Sequence, residues 1–114
     1  MIIWIASYPK SGNTWVRSFL TAYYFCENGI FDINKLNLIE DYPNKQFFKE
    51  KVKQGEIHKH WETSQKDIRD QKKVKFLKTH NSLITAFGND FTKPEYTLGV
   101  IYVIRDPRNV ITSV

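Results

Sequence analysis

Residues 2–7, Ile-Ile-Trp-Ile-Ala-Ser, form a short unbroken apolar run that ends at Tyr8-Pro9. A run this short, bounded by turn residues, suits a strand covered on both faces, as in a parallel sheet. Pro9 and Gly12 then punctuate a loop. Over residues 14–27 the period changes. Val16, Phe19, Leu20 and Tyr23 fall at i, i+3, i+4 and i+7, which predicts a helix with Gly29 as its stop.

The middle of the chain carries a weaker pattern. Asp41-Tyr42-Pro43-Asn44 reads as a turn. Two polar, lysine-rich helices are predicted over 45–54 and 63–71. Residues 74–79 alternate and predict a second strand. Gly88-Asn89-Asp90 and Lys93-Pro94 mark loops, with a short helix predicted over 82–87. Residues 98–104, Leu-Gly-Val-Ile-Tyr-Val-Ile, give the clearest strand, and Pro107 suits the first position of a helix over 108–114. Apolar strands alternating with helical stretches predict an α/β fold with a parallel sheet flanked by helices.

Composition narrows this. At 114 residues and 41% hydrophobic, the chain has room for one compact domain. No apolar run approaches the roughly 20 residues of a membrane-spanning helix. One cysteine, Cys26, excludes an internal disulfide framework and a multi-cysteine zinc site, so a cytoplasmic setting is expected. The net charge of +5 is concentrated: residues 45–78 hold 11 Lys/Arg against 5 Asp/Glu. Such a stretch faces nucleic acid, an acidic membrane or an anionic small molecule, or is simply a solvated helical surface.

The loop after the first strand carries the most chemistry. Tyr8-Pro9-Lys10-Ser11-Gly12-Asn13-Thr14-Trp15 lies between a strand and a helix, where α/β proteins bind phosphate. Loop amides and the helix N-terminus favour an anion, Lys10 adds a full charge, and Ser11, Asn13 and Thr14 add donors. An ordinary capped turn is the plainer reading. The lysine precedes the glycine, whereas nucleoside triphosphatase loops end in Gly-Lys-Ser/Thr.

The eight-residue loop resembles the 5′-phosphosulfate-binding loop of the PAPS (3′-phosphoadenosine 5′-phosphosulfate)-dependent sulfotransferases, with Asn13 where threonine is common. Two further stretches match in order. Residues 102–113, Tyr-Val-Ile-Arg-Asp-Pro-Arg-Asn-Val-Ile-Thr-Ser, resemble the family's 3′-phosphate segment, with Arg105 at a strand end and Ser113 eight residues on. A guanidinium offers a planar fork of donors to a phosphate. Read alone, Arg105 is better explained by pairing with Asp106 or another surface acid. Phe76-Leu77-Lys78-Thr79-His80 resembles the family's Lys-Thr-His segment, while His58 and His60 match nothing.

The resemblance implies a P-loop-like nucleotide-binding fold and sulfuryl transfer from PAPS to a small-molecule hydroxyl or amine. It implies His80 as general base, Lys10 stabilising the leaving phosphate, and Lys78 on the sulfuryl oxygens. Ser113 would restrain Lys10, and Trp15 would stack on adenine. No metal, nucleic acid or transmembrane segment is expected. Family members are longer and carry an Arg-Lys-Gly segment that this sequence lacks. Residues 1–114 are therefore expected to be the N-terminal part of a single sulfotransferase domain. Two alternatives stand beside this reading. One is a kinase-like phosphoryl transferase. The other is a basic nucleic-acid-binding module, with Phe47, Phe48 and Trp61 among the lysines for stacking.

Overall fold

The computed structural model describes residues 1–48, 52–53 and 55–113. Its elements run β1 (Ile2–Ser7), α1 (Asn13–Phe25), β2 (Glu40–Asp41), α2 (Trp61–Asp70), β3 (Lys75–Thr79), β4 (Thr85–Ala86), β5 (Asn89–Asp90), β6 (Thr97–Val103) and α3 (Pro107–Ser113). Short 3₁₀ turns fill much of the stretch between α1 and α2. Strands β2, β3, β1 and β6, in that order, form one parallel sheet, and β4 and β5 form a separate antiparallel hairpin. The fold is α/β with a parallel sheet and flanking helices, as the apolar runs predict.

The apolar run of β1 is buried on both faces because it is a central strand: Ile2, Trp4, Ile5 and Ser7 are all buried. Trp4 enters an aromatic core with Tyr42, Trp61 and Phe91, its ring centroid 5.3 Å from Tyr42 and 5.2 Å from Phe91. Ile68 of α2 and Leu77 of β3 complete that side. Buried Gln65 ties α2 to the hairpin side, donating to the Phe91 carbonyl at 2.6 Å and accepting from Thr92 Oγ1 at 2.7 Å. The aromatics of the basic stretch thus serve the core: Trp61 is buried and Phe47 packs against it.

α1 covers the opposite face in an unexpected way. Its buried residues are Asn13, Arg17 and Thr21, whereas Phe19 and Tyr23 of the expected apolar stripe are exposed. Arg17 explains the rotation. Its Nη2 donates to the Ile39 carbonyl at 2.7 Å, a long-range anchor beneath the helix. Burial pushes the guanidinium pKa down, and Asp41 partly offsets this.

Three expectations change. The helix over 82–87 is instead the β4–β5 hairpin, because Phe87 and Gly88 both take positive φ (50° and 80°), the conformation of a tight hairpin turn. The helix over 45–54 reduces, within the described residues, to a 3₁₀ turn at Lys45–Phe47; residues 49–51 and 54 lie outside them. The turn at 41–44 begins inside a fourth strand: β2 is two residues long and polar, which hides its pairing with β3. Tyr42 N–H extends that contact by donating to the Lys78 carbonyl at 2.8 Å.

β6 is an edge strand among the described residues. Leu98, Val100, Tyr102 and the following Ile104 are all more than half exposed. Long apolar edges of this kind pair with other chains. A polypeptide of residues 1–114 alone is expected to self-associate in sedimentation velocity, and Leu98→Lys is expected to reduce that association. A monodisperse wild-type monomer would contradict the exposure of this edge.

Tyr42 offers a stability test. Its hydroxyl shares a 2.6 Å hydrogen bond with Ser64 Oγ inside the core. Burial pushes the phenol pKa above its usual 10, partly offset by hydrogen bonds to Ser64 and Gln65. The folded state therefore holds its proton more tightly than the unfolded chain. Stability is full below about pH 10 and falls as the pH rises through the folded value. Tyr42→Phe is expected to cost about 1–3 kcal/mol in urea unfolding near neutrality, because Ser64 and Gln65 each lose one buried hydrogen bond, although Ser64 Oγ keeps the Trp61 carbonyl at 3.0 Å. It should also flatten the decline above pH 10. An unchanged alkaline slope would contradict this.

Candidate active site

The site is built where the strands of the sheet end. In the register of the sheet, Ala6 is opposite Thr79 of β3, and Ser7 is opposite Val103 of β6. The chain segments that follow all three strands therefore emerge on one edge, the place where open α/β sheets bind ligands.

From β1 the chain turns through Lys10 (φ 64°) and Gly12 (φ 98°) into α1. Gly12 is the N-cap of α1. The helix has no side-chain cap and no acidic residue in its first turn, so its positive end is left uncompensated. Ser11 and Asn13 are buried, whereas Lys10 and Thr14 are exposed. The Asn13 amide spends both its hydrogens inward, on the Ile5 carbonyl and on Ser7 Oγ, each at 3.0 Å.

On the β6 side, Arg105 Nη1 donates to the Lys10 carbonyl at 2.9 Å, linking the two sequence-matched segments directly. Asp106 belongs to Arg108, whose Nη2 donates to it at 2.9 Å. These side-chain bonds, with one from the Arg108 backbone, hold the Asp106 pKa below the usual carboxylate range. A cavity of about 390 Å³, lined by Ser11, Val103, Arg105 and Pro107, opens here, and Ser113 ends the helix that follows.

On the β3 side, His80 is exposed, with Nδ1 2.7 Å from the Ser7 carbonyl and 3.4 Å from Ser7 Oγ. It lines a second cavity, of about 660 Å³, together with Trp4, Leu83, Phe91 and Lys93. Tyr8 and Tyr102 border both cavities. Among the described residues, no group of three or more His, Cys, Asp and Glu side chains is placed to hold a metal. None of the described helices is long and apolar enough to cross a membrane.

The structure thus gathers Lys10, Ser11, Gly12, Asn13, Thr14, Arg105 and His80 along one edge. Ser11 and Arg105 line the smaller cavity and His80 the larger, whereas Lys10, Gly12, Asn13, Thr14, Trp15 and Lys78 line neither. Trp15 is 81% exposed on α1. Lys78 is paired with Asp41, Nζ to Oδ1 at 3.3 Å, and lines neither cavity.

The family described as the sulfotransferase domain matches residues 2–114. The chain belongs to the sulfotransferase-domain family. No curated protein and no solved structure gives a significant match. Family membership makes the general chemistry sulfuryl transfer.

Residues that sequence reasoning passed over include Ser7, Tyr8, Tyr102 and Asp41. Ser7 directly precedes the matched loop motif and Tyr8 is its first residue, positions that could have drawn notice. Asp41 becomes visible only through strand pairing.

Gly12→Ala tests the loop. A Cβ there would meet only Val103 Cγ1, at an ordinary 3.8 Å, so the strain lies in the backbone. A loss of roughly 1–2 kcal/mol in unfolding free energy is expected for a side chain held in the left-handed region. A neutral effect would contradict the positive φ.

Proposed function

We propose that this chain carries the PAPS-binding and acceptor-activating groups of a sulfotransferase that acts on a hydroxyl or amine. The observation that carries the reading is the Arg105–Lys10 link beside the uncapped start of α1. Arg105 and Ser11 line the smaller cavity, and the loop that Arg105 grips carries Lys10 and leads into the helix N-terminus, groups whose chemistry suits a phosphate.

In this reading the 390 Å³ cavity takes phosphate groups of the nucleotide and the 660 Å³ cavity takes the acceptor. Main-chain amides of Ser11, Gly12, Asn13 and Thr14, with Lys10, hold the 5′-phosphosulfate. Asn13 acts through its backbone, since its side-chain hydrogens are engaged. Arg105 and Ser113 serve the 3′-phosphate, and Trp15 stacks on the adenine. His80 takes the acceptor's proton as the acceptor oxygen or nitrogen bonds to sulfur and the bond from sulfur to the phosphate oxygen breaks. Lys10 and the loop amides stand where that oxygen gains charge. Lys78 reaches the sulfuryl oxygens only on leaving Asp41. No metal enters this chemistry. The same reading takes residues 1–114 as the N-terminal part of one sulfotransferase domain, supported by the uncovered apolar surface of β6. It sets the enzyme in the cytoplasm, a reading that rests on the cysteine count alone.

Two variants test the division of labour. Lys10→Ala is expected to weaken binding of the desulfated nucleotide by about ten- to over a hundredfold in calorimetry, the loss of charge-assisted bonds worth roughly 1.5–3 kcal/mol. His80→Ala is expected to lower kcat by ~10²–10⁴ while nucleotide affinity holds. Undiminished affinity in the first, or normal turnover in the second, would overturn the corresponding role.

A further inference from the structure

The imidazole of His80 has a determinate hydrogen-bond partner. A backbone carbonyl can only accept, so the 2.7 Å contact between His80 Nδ1 and the Ser7 carbonyl requires a proton on Nδ1. In the neutral ring this leaves the lone pair on Nε2. Ser7 Oγ lies 3.4 Å from the same Nδ1 and accepts from Asn13 Nδ2 at 3.0 Å. Asn13 fixes its own amide orientation by donating its other hydrogen to the Ile5 carbonyl. Ser7 and Asn13 are both buried, and Asn13 is the first residue of the helix that starts at the phosphate loop. A continuous set of hydrogen bonds therefore runs from the start of α1, through the end of β1, to the ring of His80.

We propose that Ser7 and Asn13 are positioning residues that hold His80 as its Nδ1–H tautomer, with Nε2 as the basic nitrogen, and fix the ring relative to the phosphate loop. This rests on His80 being the base. The chemistry follows from the partners. The Ser7 carbonyl selects the tautomer, and Ser7 Oγ, itself held by Asn13, restrains where that carbonyl and the ring stand. Orienting bonds of this kind to the far nitrogen of an imidazole decide which nitrogen works and where it points. Asn13 suits the task because its side chain offers two N–H donors, whereas a threonine hydroxyl offers one.

The test combines a spectroscopic reading with kinetics. Nitrogen-15 NMR of the histidine-labelled protein, taken where the ring is neutral, is expected to show His80 with Nδ1 protonated and Nε2 bare. Ser7→Ala, which removes Oγ but keeps the carbonyl, loosens the ring without changing its tautomer and is expected to lower kcat by about tenfold, the low end of the range for disturbing the outer partner of a functional imidazole. Nucleotide affinity should be unchanged. Ser7→Thr, which keeps the hydroxyl, is expected to restore turnover, and Asn13→Ala to reproduce the Ser7→Ala loss. Wild-type His80 with a bare Nδ1 would overturn the strut without any variant, so the proposal stays open to refutation if Ser7→Ala does not fold. Ser7→Ala turning over like the wild type would also overturn it. Normal turnover in His80→Ala would remove the base reading itself, and with it any catalytic purpose for the strut.

Discussion

The parallel pairing of β1 with β3 on one side and β6 on the other decides where every candidate group stands. Ser7 is opposite Val103, and Ala6 is opposite Thr79. From those strand ends, Lys10, Arg105 and His80 reach one edge although they lie far apart in sequence. A one-residue slip of register would carry each strand's alternate side chains to the wrong face. The buried Trp4 opposes such a slip, because it fills the core on one face while its Nε1 donates to Thr97 of β6 at 2.8 Å.

Much of this arrangement was legible in the sequence, for a physical reason. Central strands buried on both faces must be continuously apolar, and 2–7 and 98–104 are the plainest such runs in the chain. Loops that bind phosphate need left-handed turns and donors, so they advertise themselves through Gly12, Lys10 and Ser11. What stayed hidden depends on contacts between distant residues. The two-residue strand β2 has no pattern to read, yet it brings Asp41 to Lys78. The helix predicted over 82–87 overlaps the first strand and turn of the hairpin, whose two positive φ values at Phe87-Gly88 carry no apolar period to reveal them. The face that α1 buries was misjudged because its anchor is Arg17, a residue that periodicity scores as solvent-facing.

The two large apolar exposures have separate causes. α1 uses its polar side to grip the sheet, which leaves Trp15, Phe19 and Tyr23 outward. β6 has β1 on one side and no described strand on the other. Both surfaces flank the edge where the cavities open. The polar interior of that edge is held from within: Asn13 grips β1, Ser7 and Asn13 hold His80, and Arg105 holds the loop. Preformed contacts of this kind reduce what a ligand must organise on arrival.

In the proposed function, nucleotide and acceptor occupy different cavities on the two sides of Tyr8 and Tyr102. Amide chemical-shift mapping with the desulfated nucleotide tests it most directly. Shifts are expected to concentrate at residues 10–15 and at Arg105, and to leave Leu83, Phe91 and Thr92 unmoved. Shifts confined to Leu83, Phe91 and Thr92, with the loop silent, would contradict it.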